Sequence, residues 1–210
     1  MIQPVSRPPS AASDREAQIR PVRAREGSDA ELVTRARDGD HWAEEMLYRR
    51  HASFVLGLCT RLLRHTSDAE DVVQDAFVDA FEQMQSLREA EMFRRWLTGI
   101  AVHKAHRRLR RRKLLRALGL RDSKQNETLE TCLAKGASPE VYAEIVCLDH
   151  VLTQLPDTQR IAWQLRHVEG YRLEEVADFC ECSLATTKRR LSLADAIVRK
   201  HVEFEEVGRV

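Results

Sequence analysis

The side chains that could do chemistry in this chain are charged ones, and they are segregated. From Thr66 to Gln83 there are six Asp or Glu and no Lys or Arg, whereas from Met92 to Arg121 there are eleven Lys or Arg and no Asp or Glu. Carboxylates at such density could hold a hard cation such as magnesium, or offer an acidic face to a basic partner. Asp68, Asp71, Asp75, Asp79 and Glu82 recur every three or four residues. On a helix they share one face but diverge outward instead of converging on a point, and no His pair accompanies them, so a partner surface is the better reading. Like charges at i,i+4 repel, and no lysine is interleaved to relieve them. The basic run, centred on "HRRLRRRK" from His106 to Lys113, suits nucleic-acid phosphates. Each phosphate neutralised on duplex DNA would steepen the salt dependence of binding by a log-log slope of about −0.9. The five cysteines, Cys59, Cys132, Cys147, Cys180 and Cys182, are odd in number and include no C-x-x-C pair. They indicate neither a disulfide framework nor a zinc ribbon, and burial as small hydrophobes accounts for them. No Gly-Lys-Ser/Thr phosphate loop is present, so nucleotide hydrolysis is not expected.

These groups need elements to position them. In a chain of 210 residues, glycine and proline are scarce and no alternating β-branched run is seen, which predicts an all-α protein. Residues 1–28, rich in Pro, Ser and Arg, read as a disordered arm. A first helical domain is expected over 29–118, with Asp29 as N-cap of a helix carrying Leu32, Val33 and Ala36, and Gly39 with Asp40 marking its end. Leu47, Phe54, Val55, Leu58 and Leu62 continue at helical spacing, a third helix begins near Ser67 or Asp68, and a fourth at Phe93. In the fourth, Phe93, Trp96, Leu97, Ile100, Ala101, Ala105 and Leu109 form an apolar stripe. Arg94, Arg95, His103, Lys104, Arg107, Arg108, Arg110 and Arg111 occupy the rest of its surface. Residues 119–139 lose periodicity and read as a flexible linker. A second domain is expected over 140–204, followed by a tail at 205–210. In that domain "LPDTQRIAWQLRHVEGY" reads as a helix starting after Pro156 and stopped by Gly170. Beyond it, a short helix with Val176, Ala177 and Cys180 inward precedes one capped by Ser183. On the latter Thr187 and Leu191 face the core, while Thr186, Lys188, Arg189 and Arg190 point out. A short helix, a turn and a capped basic helix form the layout of a helix-turn-helix, whose second helix enters a major groove. The opening residues lack a secretory signal's apolar core and no later run could span a bilayer, so a cytoplasmic location without membrane insertion is expected.

The ordered motifs "DAELVTRARDGD", "DAEDVVQDAF", "FRRWLTGIAVHKAHRRLRRRK" and "LRHVEGYRLEEVADFCECSLATTKRRL" resemble those of the extracytoplasmic-function (ECF) RNA polymerase sigma factors, from about Asp29 to Val202. The resemblance implies a non-enzymatic initiation factor without cofactors, its two domains corresponding to sigma regions two and four. It implies that Asp68, Asp71, Gln74 and Asp75 dock on the clamp helices of core RNA polymerase. The Phe93 helix would read and help melt the minus-ten promoter element, with an extruded base held near "SLREAEM". The Thr186 helix would read the minus-thirty-five element. The implied partners are core polymerase and promoter DNA, with an anti-sigma factor as an optional third. The alternative is a stand-alone helix-turn-helix regulator, which would have no use for the acidic helix. The chain departs from the family pattern at His103, where Asn is usual, at Arg107, where Asp is usual, at Glu181 in the turn, where Gly is common, and at Thr187, usually aliphatic.

Overall fold

In the computed structural model, which describes residues 27–119 and 138–208, the described residues form eight α-helices and no strand. The first four are α1 (Asp29–Arg37), α2 (His41–Leu63), α3 (Thr66–Glu82) and α4 (Phe93–Ala117), with two 3-10 turns, Met84–Ser86 and Ala90–Met92, leading into α4. The N-cap of α1 is Ser28 and not Asp29. Its hydroxyl accepts from the Glu31 amide while the Glu31 carboxylate accepts from the Ser28 amide, a reciprocal capping box. Freed from capping, Asp29 accepts hydrogen bonds from Arg50 (2.7 Å) and pairs with His51 (2.9 Å), tying α1 to α2. Gly39, at φ +85°, makes the left-handed turn to Asp40, whose side chain caps α2 by accepting from the Trp42 amide. His65 caps α3 by accepting the Asp68 amide on its ring Nδ1.

The expected α4 stripe is the floor of the first unit: Phe93, Leu97, Ala101 and Ala105 are fully buried and Leu109 nearly so, packed among Leu32, Leu47, Leu58 and Val102. Trp96 is only partly buried at the edge of this core. The second unit comprises α5 (Pro139–Gln154), α6 (Asp157–Trp163) running on into a π-helical turn (Gln164–Val168), α7 (Leu173–Phe179) and α8 (Leu184–Gly208). Neither proline nor glycine occurs between Leu184 and Gly208, and α8 runs on past Phe204 to that residue. Ile161, Ala162, Leu165, Val176, Leu191 and Ala194 make its core. The turn between α7 and α8 is tight despite lacking glycine. Glu181 adopts the left-handed conformation at φ 47°, which costs a residue bearing a Cβ about 1–2 kcal/mol. The expected arm at 1–28 and linker at 119–139 lie almost wholly outside the described residues.

The two units pack directly on one another. The ring of Phe179 lies over Gly99 of α4, where an added Cβ would be 3.4 Å from Phe179 Cδ1. Phe179 also meets Tyr171 edge-on at 4.9 Å, and the Tyr171 hydroxyl lies 3.0 Å from Thr98 Oγ1. At the end of α2, Arg61 donates to Glu169, with Nε at 3.0 Å, and Arg64 makes a two-pronged pair with Asp149, with one nitrogen at 2.7 Å. Buried Arg160 and Gln164 donate to the Leu62 and Arg61 carbonyls, supplying acceptors' partners at the C-terminal end of α2 that an isolated helix would lack.

Candidate nucleic-acid interface

Helix α4 carries its arginines on more than one side, and packing gives them different tasks. Arg107, Arg110 and Arg111 are exposed and have no carboxylate within pairing distance among the described residues. They are free to meet phosphates. Arg108 is turned the other way. It donates to Asp68 at 2.5 Å and to Asp71 at 3.0 Å, and Arg112 stands 3.5 Å from the other Asp68 oxygen. Asp68 is 3% exposed. Burial opposes its ionisation, but the Arg108 hydrogen bond and charge, with His65 and Arg112, hold its carboxyl below the usual range. Lys104 likewise meets Asp79 at 2.6 Å. The lysines and arginines absent within α3 are therefore supplied across the helix pair by α4. The acidic face divides into an inner edge that fastens α3 to α4 and an outer edge of Glu70, Asp71, Gln74 and Asp75 that is exposed.

The N-terminal half of α4 is engaged with the second unit or the core. Arg94 stacks its guanidinium 3.9 Å from the centre of the Phe54 ring. Arg95 reaches Glu175 and Asp178 of α7, each at 3.3 Å, and His103 Nε2 lies 2.9 Å from Glu181 Oε1. His103 and Glu181, two departures from the family pattern, thus meet across the interface. Helix α7 sets an acidic row against the helix that carries the candidate DNA contacts.

On α8 the expected cap is present: Ser183 Oγ accepts from the Thr186 amide at 3.2 Å and lies 2.9 Å from the Thr186 hydroxyl. Thr187 is fully buried and Leu191 nearly so, which leaves Lys188 and Arg189 exposed on the first turns. Arg190 is partly covered. It donates to Cys182 Sγ at 3.3 Å and turns toward a cavity of about 910 Å³ between the two units, walled by Arg110 of α4 on the facing side. Cys180, behind the turn, is desolvated enough that its thiol is pushed up to about 12, so it stays protonated and apolar. Among the described residues no group of His, Cys, Asp or Glu could hold a metal ion, and no helix is long and apolar enough to cross a membrane.

Periodicity alone did not reveal the pairings of Arg61 with Glu169, Arg64 with Asp149 and Arg95 with α7, because the partners stand 80 or more residues apart. The departures at His103 and Glu181 were the nearest signal.

The family model described as Sigma-70 region 2 matches residues 47–114, and that described as Sigma-70, region 4 matches residues 145–194. The chain is 30% identical over 191 residues to the ECF RNA polymerase sigma-E factor of Escherichia coli K12, covering 84% of this chain and 95% of that one. It is 29% identical over 187 residues to the RNA polymerase sigma-H factor of Pseudomonas aeruginosa, covering 83% and 94%. Solved structures that share the fold include two chains captured in complexes. The sigma factor RpoE of Bartonella quintana, in complex with the anti-sigma factor NepR, matches with a TM-score of 0.60 at 22% identity, over 76% of this chain and 96% of that one. CnrH, in complex with the cytosolic domain of CnrY, matches with a TM-score of 0.58 at 21% identity, over 84% and 98%.

Proposed function

The chain belongs to the ECF RNA polymerase sigma factors, and from that premise we propose how its surfaces divide the work of a promoter-specific initiation factor. The outer edge of α3, with Asp71, Gln74 and Asp75, docks on core RNA polymerase. Asp68 acts from behind, as the buried counter-ion that fixes α3 against α4. Arg107, Arg110 and Arg111 track promoter phosphates near the minus-ten element. Arg95 and His103 join them once α7 and the turn after it have moved off α4, Arg94 joins them from its place over the Phe54 ring, and Arg108 serves chiefly to hold α3. Thr186, Lys188, Arg189 and Arg190 read the minus-thirty-five element. Residues 29–118 and 140–204 act as the two functional domains, and 119–139 as the tether that lets them part. The observation that carries this division is the pair of capped or stripe-anchored helices, α4 and α8, each turning unpaired cations outward while the exposed carboxylates gather on α3.

Strand opening is driven by binding energy without a catalytic step, since an extruded base held by the protein offsets a few kcal/mol of unstacking. The site of action is the cytoplasm, beside the polymerase. One structural neighbour, the sigma factor RpoE, was captured with the anti-sigma factor NepR, and a protein of that class is proposed as a third partner. The deciding experiment is a salt-controlled titration of core polymerase with the chain, followed by run-off transcription. Replacing Asp71 and Asp75 with Lys should lower core affinity at least tenfold, equivalent to about 1.4 kcal/mol, with helical content unchanged. Unaltered affinity would remove α3 from the polymerase interface.

A further inference from the structure

The cavity between the two units has a chemical character that promoter binding accounts for only in part, through Arg110 and Arg190. Along α4, Arg110, Lys113 and Arg116 line it at successive i,i+3 positions, a row about 9 Å long at the helical rise of 1.5 Å per residue. Arg190 of α8 faces them from the second unit. None of these four has a carboxylate within pairing distance among the described residues, unlike Arg64 and Arg160 on the same wall, which are matched by Asp149 and Asp157. His106 and Arg160 also belong to the wall, but His106 Nε2 and Arg160 Nε, which lack a hydrogen-bond partner, are closed off from solvent and therefore from the open space as well. Burial, with the positive charges of Arg110 and Arg190 and the neighbouring His103, pushes the His106 ring down to about 4. Although Asp157 and Glu181 also line it, the cavity is a region of net positive potential, walled by cations from both units.

We propose that this cavity is a binding site for a small anion bearing two or more linked phosphates, which bridges α4 and α8 and holds the two units together. The volume of about 910 Å³ suits a nucleotide-sized ligand. Guanidinium forks match phosphate oxygens with paired hydrogen bonds, and three of the four unpaired cations are arginines. A single phosphate spans only part of the α4 row, whereas linked phosphates can follow its length, with Arg190 on the same cavity wall. A bound anion would occupy Arg110 and Arg190, both assigned above to DNA, and so would favour the closed arrangement over promoter engagement.

The site can be tested on the free full-length chain without polymerase or DNA, so its failure would leave the promoter reading untouched. Sodium tripolyphosphate is titrated calorimetrically at constant ionic strength without magnesium, with orthophosphate as the comparison. One tripolyphosphate should bind per chain, more tightly than orthophosphate. Lys113→Gln with Arg116→Gln should weaken binding roughly tenfold or more, as loss of charge-assisted contacts implies. Arg190→Gln should weaken it from the other unit. Arg107→Gln with Arg111→Gln removes the same charge from α4 outside the cavity and should leave affinity within about twofold if long-range attraction is screened by salt. The proposal is overturned by the absence of saturable binding, by equal affinity for orthophosphate, or by equal losses from the cavity pair and the outer pair.

Discussion

At Asp68, one carboxylate serves two helices. It is 3% exposed and contacted by Arg108 and Arg112, so removing its charge leaves two guanidinium groups beside a buried amide. Asp68→Asn should destabilise the chain by about 3 kcal/mol, the scale for breaking a buried pair on one side, as read from urea midpoints at pH 7. The sign of the pH dependence follows from its lowered folded pKa against an ordinary value of 3.8. The carboxylate's stabilising contribution is fully present above 3.8 and is lost as the pH falls through the lower folded value. The parent should therefore lose stability more steeply than Asp68→Asn in that acid window. A parent and variant whose stability falls in parallel there would show that Asp68 is not held ionised. Asp68 reads in the sequence as one more member of an exposed acidic face. Its burial depends on where α4 crosses α3, and helical spacing within α3 carries no information about that.

Helices were the most legible elements, because each carries its own start signal and its own apolar period. Ser183 before Leu184 and Gly39 before Asp40 are local chemistry, and both do in the structure what their residue types suggest. The first cap was displaced by one residue, from Asp29 to Ser28, because Glu31 stands at the position where only Ser28 can complete a reciprocal box. On α8 the side that points away from the core could be read in advance from Thr187 and Leu191. The exposed Lys188 and Arg189 and the partly covered Arg190 could not be told apart. That difference sharpens a prediction. Arg189→Ala and Arg190→Ala should each erase preference at one or two base pairs of the minus-thirty-five element, about 1–3 kcal/mol of discrimination per bidentate contact. Core-polymerase affinity should be retained in both. Selection from a randomised upstream element tests this, and an unchanged selected motif for both variants would refute the assignment.

Across the whole molecule, the order of charge along the chain becomes a closed arrangement in space. Arg61 with Glu169, Arg64 with Asp149, Arg95 with Glu175 and Asp178, and His103 with Glu181 all join one unit to the other. The outermost of these are substantially exposed and screened by salt, whereas the Arg61 and Arg64 pairs are more enclosed and less sensitive. Glu169→Gln with Asp149→Asn should therefore enlarge the radius of gyration measured by small-angle scattering, while far-ultraviolet circular dichroism stays unchanged. The parent at high salt should open less than this double variant. Identical scattering for parent and variant would show that the apolar contact around Phe179 is sufficient by itself.

Gly99 lies beneath that contact, a glycine inside a long helix where alanine would favour the helical backbone by about 1 kcal/mol. The ring of Phe179 rests against the place a first side-chain carbon would take, 3.4 Å from an added Cβ. Alanine can be fitted with little adjustment, but a branched or longer side chain there becomes a wedge between the units. In a genetic screen, Gly99→Val or Gly99→Leu should consequently emerge as alleles that raise reporter output at unchanged protein level, acting by permanently propping the molecule apart. Second-site suppressors that restore a low basal output should fall at Phe179, where a smaller residue would make room for the wedge.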